Sequence, residues 1–154
     1  FSTAAKVVRP AIDDEVFGYA RVNAADQRRD PKSLLNTTER LIRARKECPE
    51  ISWGEFEVLR TSAADVLALR YDWRGTSLIT LHNFSGQPRR AKFNPGCERG
   101  ETLVDLMAGR ASRCLSDGSH RVRLEGYGYR WLRAGGMDDT LMREALSLEE
   151  VEID

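Results

Sequence analysis

Only two histidines and three cysteines occur among the 154 residues, and that scarcity removes several kinds of chemistry. His82 and His120 stand far apart and no CxxC pair is present, so the ligand spacing of a zinc site is missing and neither a metal nor another cofactor is expected. Cys48, Cys97 and Cys114 are odd in number and widely spaced, which argues against a disulfide framework and for a reducing, cytoplasmic setting. No apolar run approaches the ~20 residues that a membrane helix needs. Neither sign of charge is in excess: 24 Lys and Arg balance 24 Asp and Glu. That leaves no electrostatic footprint for nucleic acid or an anionic membrane, and the basic run Arg28-Arg29 with Lys32 is too small to supply one. There is no GxSxG and no catalytic-cysteine signature, so a nucleophile beside an oriented base is not offered. Gly126 and Gly128 lie between strand-like segments, with no helix start and no Lys-Ser/Thr after them, unlike a phosphate loop. A signal peptide and an initiator Met are both missing, which fits an excised or cleaved piece.

What is present suits one globular domain of ordinary size, with 41% hydrophobic residues. Residues 1–29 show no sustained periodicity and read as extended loop. A strong helix follows over 30–48. Asp30 is the expected N-cap and Pro31 the first helical residue, where its missing N–H costs nothing. Leu34, Leu35, Thr38, Leu41, Ile42 and Arg45 recur at helical spacing on one face. Cys48-Pro49 ends the helix, because the residue before proline avoids the α region. Short strand-like segments then alternate with turn signals: 55–60 (Phe56, Val58 and Arg60 on one face), 66–72 (Leu67, Leu69 and Tyr71 on one face), 77–83 (an apolar, central run), 89–93 (an edge guarded by Arg and Lys), 102–106, 120–125 and 127–133. The turn Asp72-Trp73-Arg74-Gly75 joins the second and third, and residues 110–118 read as polar loop. In 120–125, Val122 and Leu124 point inward while Arg121, Arg123 and Glu125 point outward. Seven strands predict two packed antiparallel sheets. Beyond the break at Ala134-Gly135-Gly136, residues 137–154 form an acidic tail. Its readings are a frayed terminus or a short docked helix around Leu141, Met142, Ala145 and Leu146.

Several residues invite a functional reading. Tyr127, Tyr129 and Trp131 recur at period two, hence on one strand face. They are either a sugar-stacking platform or sandwich core, and core is favoured because aromatics dominate core burial. Trp73 and Trp53 each lie next to a turn residue. They are candidate surface contacts for a carbohydrate or anchors to a missing neighbouring domain, against the favoured alternative that each plugs one end of the sandwich. His82, in an apolar strand, reads as a hydrogen-bonded structural residue. Asp13, Asp14 and Glu15 are adjacent, whereas glycosidase carboxylates flank a scissile bond about 5 to 10 Å apart, so they read as solvated charge.

The order and spacing of these segments carry a resemblance. Phe1-Ser2, Arg9-Pro10, Phe17-Gly18-Tyr19, Val22-Asn23, Asp30-Pro31, Ser33-Leu34-Leu35-Asn36, Leu41-Ile42 and the stretch Arg45-Lys46-Glu47-Cys48-Pro49-Glu50-Ile51 resemble the end of the catalytic barrel in glycoside hydrolase family 13, the α-amylase family. Within it, the trehalose synthase group (maltose glucosyltransferases) is the most similar. Leu69-Arg70, His82-Asn83 and Glu125-Gly126-Tyr127-Gly128-Tyr129-Arg130-Trp131 fit the C-terminal domain of the same enzymes. A (β/α)8 barrel needs about 200 residues or more, so the chain is too short to hold one. The resemblance therefore implies an α+β, mainly β chain. Residues 1–50 would be the loop and last helix of a barrel, 51–133 an antiparallel β-sandwich, and 134–154 the tail. It places the catalytic carboxylates upstream, leaving this chain a stabilising role and no catalytic residue. The implied partner is the missing barrel. An α-glucan or disaccharide is the implied sugar, and a homodimer through the Leu34/Leu41 helix face is a further expectation. The alternatives from other classes are a stand-alone carbohydrate-binding module and an interaction domain that uses the acidic tail.

Overall fold

The computed structural model describes residues 12 and 14–135; Asp13, the proposed tail helix and the segment carrying Phe1-Ser2 and Arg9-Pro10 lie outside them. The chain divides into two compact units, one ending at Glu47 and the other beginning at Cys48.

In the first unit, α1 (Ala24–Arg29) precedes α2 (Leu34–Lys46). The expectation of loop up to residue 29 missed α1 because its sequence, AADQRR, has no apolar stripe. Polar end groups hold it instead: the Asn23 side-chain oxygen accepts from the Asp26 N–H at 2.9 Å, and the Asn23 side-chain amide donates to the Asp26 carboxylate at 2.8 Å. The second helix also starts later than expected. Asp30 closes α1 and turns the chain through Pro31, accepting from the Lys32 N–H at 2.9 Å. Ser33 is the N-cap, taking the Asn36 N–H at 3.2 Å. What decides between two good caps is the corner behind them. Ser33 Oγ donates to Gln27 O at 2.6 Å, and the Asn36 amide reaches Gln27 O at 2.9 Å and Asp30 O at 2.7 Å. On α2, Leu34, Leu35 and Ile42 are exposed and Leu41 is half-buried.

In the second unit the chain resumes as a short helix, α3 (Pro49–Trp53), with Pro49 in its first turn. Eight strands follow: β1 (Glu55–Leu59), β2 (Val66–Trp73), β3 (Thr76–Asn83), β4 (Arg89–Phe93), β5 (Thr102–Asp105), β6 (Arg110–Arg113), β7 (His120–Leu124) and β8 (Tyr129–Ala134). Six of them form a sheet in the order β1-β2-β3-β8-β5-β6, and β4 pairs with β7 in a separate ribbon. All pairings are antiparallel. The apolar run read as central is central: β3 pairs with both β2 and β8.

The eighth strand, β6, lies in the segment read as polar loop. Four residues, RASR, are too few to show a period, and the pairing comes from the turn before it. There the Asp105 carboxylate accepts from the Met107 N–H at 2.9 Å and from Ala108 N–H at 3.2 Å. The turn between β2 and β3 tightens to Arg74-Gly75, whose φ values of 48° and 81° are those of a two-residue hairpin that matches strand twist. The core lies between the large sheet and the ribbon. Val66, Ala68, Ile79, Leu81, Leu103, Leu132 and Ala134 of the sheet meet Ala91, Phe93 and Leu124 of the ribbon. This is an antiparallel β-sandwich with few helices, as the sequence implied.

Candidate functional site

Because side chains alternate along a strand, the residues that fill the sandwich core leave a second set on the other face of the large sheet. In β2 the core takes Val66 and Ala68, so Leu67, Leu69, Tyr71 and Trp73 point the other way. Register carries the same face across the sheet. Val58 pairs with Leu69 and Phe56 with Tyr71; Leu67 pairs with His82; His82 pairs with Tyr129, Thr80 with Trp131, and Leu78 with Arg133. Phe56 and Tyr71 lie with ring centroids 6.2 Å apart, and His82 stacks on Tyr129 at 6.3 Å. Phe56 is 68% exposed although it sits in a strand beside an aromatic neighbour. A sheet face this apolar is normally covered.

One end of the second face is occupied by α3, which lies against β2 and β3. Gly54 closes that helix with its N–H on Glu50 O at 2.9 Å. A Cβ at Gly54 would run into Glu50 O and Asp72 O, so only glycine allows the helix end to meet the strand this closely. The helix brings Glu50 over β8. Its carboxylate meets the Arg133 guanidinium in an ion pair, in which Nη2 donates to Oε2 at 3.0 Å and Nε stands 2.8 Å from Oε1. Glu50 is almost wholly buried and Arg133 largely so. A buried carboxylate is tolerable only with a cation held this close.

The residues singled out in the sequence are scattered around this face. Trp73 is half-buried at the end of β2, and the Arg74 guanidinium lies over its ring, 4.7 Å from the centroid. That cation–π contact takes the ring face a pyranose would use. Trp53, at the end of α3, is 76% exposed, so it plugs nothing in this chain. The aromatic ladder does not form: Tyr127 sits in the turn before β8 with φ 55° and is 75% exposed, whereas Trp131 is buried. Gly126 and Gly128 bend the chain there, and a Cβ at Gly126 would meet Gly86 O. His82 is half-buried and burial holds its imidazole below the ordinary range. Asp14 is spent locally, its carboxylate accepting from the Val16 N–H at 2.8 Å and from that of Phe17.

A second cleft among the described residues holds groups that are already engaged. In the cleft of about 550 Å³ beside Arg70 and Cys97, the guanidinium is already engaged. It donates to Pro95 O at 2.6 Å, to Asp72 at 3.0 and 2.8 Å, and to Ser77 at 3.1 Å. Burial, with the nearby Glu101 carboxylate, pushes the Cys97 thiol up to about 12, so it stays protonated and unreactive. Among the described residues no group of three His, Cys, Asp or Glu could hold a metal ion, and no helix is long and apolar enough to cross a membrane.

The sequence reading missed the Glu50–Arg133 pair and the second face as a unit. For the pair no sequence signal exists, since its members are 83 residues apart. For the face a signal did exist: Val66-Leu67-Ala68-Leu69 is apolar on both parities, which marks a strand covered on both sides.

This geometry defines an antiparallel sandwich domain whose second sheet face is apolar and partly exposed. Residues 75–133 match the family described as sucrose hydrolase-like, C-terminal domain. The chain is 29% identical over 143 residues to the trehalose synthase of Pimelobacter sp. (strain R48), covering 90% of this chain and 25% of that protein. It is 28% identical over 138 residues to the trehalose synthase/amylase TreS of Mycobacterium tuberculosis, covering 86% of this chain and 23% of that one. Among solved structures, the trehalulose synthase MutB from Pseudomonas mesoacidophila MX-45 superposes with a TM-score of 0.57 and 28% identity, over 75% of this chain and 20% of MutB. The chain thus spans about a quarter of the length of the curated relatives it matches. It is similar to the C-terminal part of these proteins, and the curated relatives it matches are trehalose synthases, as the resemblance implied.

Proposed function

We propose that the chain is the C-terminal module of a larger enzyme of the trehalose synthase kind, and that the second sheet face is the seat of the catalytic barrel. The parent would isomerise maltose to trehalose, or hydrolyse or transfer α-glucosyl units, by a retaining double displacement. This module would supply stability and no catalytic residue. The observation that carries the reading is the apolar second face, running from Phe56 to Tyr129 and closed at one end by the Glu50–Arg133 pair. Its chemistry is that of a surface built for a permanent partner within the chain. The division into barrel end (1–50), sandwich (51–133) and tail (134–154) belongs to this reading, as does a cytoplasmic location, which the free cysteines support.

The test has two readouts. The isolated chain, incubated with maltose, trehalose and nitrophenyl α-glucoside, is expected to turn over none of them. In the longer enzyme encoded upstream of Phe1, Phe56→Glu is expected to lower the melting temperature of the barrel while leaving that of the isolated chain unchanged. Turnover by the isolated chain, lost on mutating one of its residues, would overturn the reading; so would a Phe56→Glu parent as stable as the wild type.

Two finer expectations attach to it. The exposure of Trp53 favours that residue over Trp73 as a contact for an α-glucan or disaccharide. Leu34 on α2 is 77% exposed, and burying a leucine is worth about 1.5–3 kcal/mol. A chain lacking its barrel is therefore expected to self-associate as a twofold dimer through the Leu34/Leu41 face. Sedimentation of the wild type should show a dimer that the Leu34→Glu/Leu41→Glu variant lacks; a wild type that stays monomeric at high concentration removes the dimer.

A further inference from the structure

The outer face of the β4–β7 ribbon carries four cations. Alternation turns Ala91, Phe93 and Leu124 to the core and leaves Arg90, Lys92, Arg121 and Arg123 exposed. Register then sets like charges opposite each other, Arg90 against Arg123 and Lys92 against Arg121. Such pairs destabilise a two-stranded ribbon, and they line a cleft of about 510 Å³. Local carboxylates answer only half of the charge: Asp117 meets Lys92 at 2.7 Å and Glu125 meets Arg123 at 3.2 Å. Among the described residues Arg90 and Arg121 have no ion-pair partner. Edge protection does not explain the arrangement, because these side chains stand on a face.

The same unit of the chain continues for 19 residues past Gly135, outside the described residues. That segment holds Asp138, Asp139, Glu144, Glu149, Glu150, Glu152 and Asp154 against the single cation Arg143. We infer that the cationic face of the β4–β7 ribbon is the docking site for the acidic segment 137–154 of the same chain. Charge complementarity selects this occupant, and tethering raises its local concentration to roughly the millimolar range. Reach is ample: 19 residues span up to about 60 Å when extended, whereas a domain of this size has a radius of gyration of roughly 12 Å. The overall charge balance of the chain is then a local one, in which a basic face and an acidic segment neutralise each other.

Lys92 is the one lysine beyond residue 46, which makes it a clean reporter in the full chain. A carbodiimide converts a touching lysine and carboxylate into an isopeptide bond, and peptide mapping of the monomer locates it. The Lys92–Asp117 contact calibrates the yield. The expected result is a Lys92 link to carboxylates of 137–154, reduced several-fold in an Arg90→Ala/Arg121→Ala/Arg123→Ala variant that keeps the Lys92–Asp117 link. In the wild type, about 1 M NaCl, where the screening length is about 3 Å, should suppress the links to 137–154 before the link to Asp117. Linking to Asp117 alone, links to 137–154 that ignore both the triple variant and salt, or links formed only between copies would each overturn the inference.

Discussion

Replacing Arg133 by methionine should cost about 3–5 kcal/mol of stability, the range for removing one partner of a buried ion pair. In a domain of about 90 residues that is a fall in melting temperature on the order of 15–30 °C. The cause is the partner left behind. The Glu50 side chain is only 2% exposed, so its charge would lose its paired cation and gain no water. The loss should therefore be largely an unpaired-charge effect and largely reversible by removing the second charge. Adding Glu50→Leu to the Arg133→Met chain should recover most of the lost stability, because a well-packed apolar pair can replace a buried ionic one at little cost. Thermal melts of the two single variants and the double variant check this. A double variant no more stable than Arg133→Met would mean that the arginine acts through packing alone, and a near-neutral Arg133→Met would mean the pair does not anchor α3 at all.

How much of this could be read in the sequence depends on whether a residue's environment is local. The alternation of β7 was legible because each side chain from Arg121 to Leu124 meets its own face directly. The position of β3 was legible because an unbroken apolar run belongs in the middle of a sheet. Where two local signals compete, the sequence alone does not choose. Asp30-Pro31 and Ser33-Leu34 are both sound helix starts, and the Gln27–Asn36 corner selects the second. The ladder Tyr127, Tyr129, Trp131 failed for a similar reason. Period two is genuine in the letters, but Gly126 and Gly128 let the chain turn at Tyr127, which lifts it off the strand. The Glu50–Arg133 pair, which seats α3, depends on a meeting that no spacing announces. The exposed tryptophan lies in the same category: Trp53 is placed by the short helix that this pair holds down.

Trp131→Ala is expected to destabilise the chain by about 3–5 kcal/mol, the cost of emptying a large aromatic from a packed site. Trp131 is 8% exposed and stands opposite the buried Thr80 in the β3–β8 register. Its burial is complete within this chain, unlike that of Phe56, so its contribution does not wait for a barrel. Tyr127 supplies the contrast. It lies at a turn, mostly in solvent, and Tyr127→Ala should change stability by less than about 1 kcal/mol, as surface changes do. A sugar platform would require the opposite behaviour from both: folded variants with intact melting temperatures and lost affinity for maltose. Denaturant or thermal unfolding, run beside a maltose titration followed by tryptophan fluorescence, separates the two cases. If Trp131→Ala melts like the wild type and the titration signal vanishes, Trp131 is a binding residue and the structural role assigned to β8 is wrong. If it unfolds early while Tyr127→Ala does not, the aromatic pattern that suggested a binding ladder is a pattern of burial. Trp131 then holds the middle of the sheet in place on the same face that Phe56 and Tyr71 present.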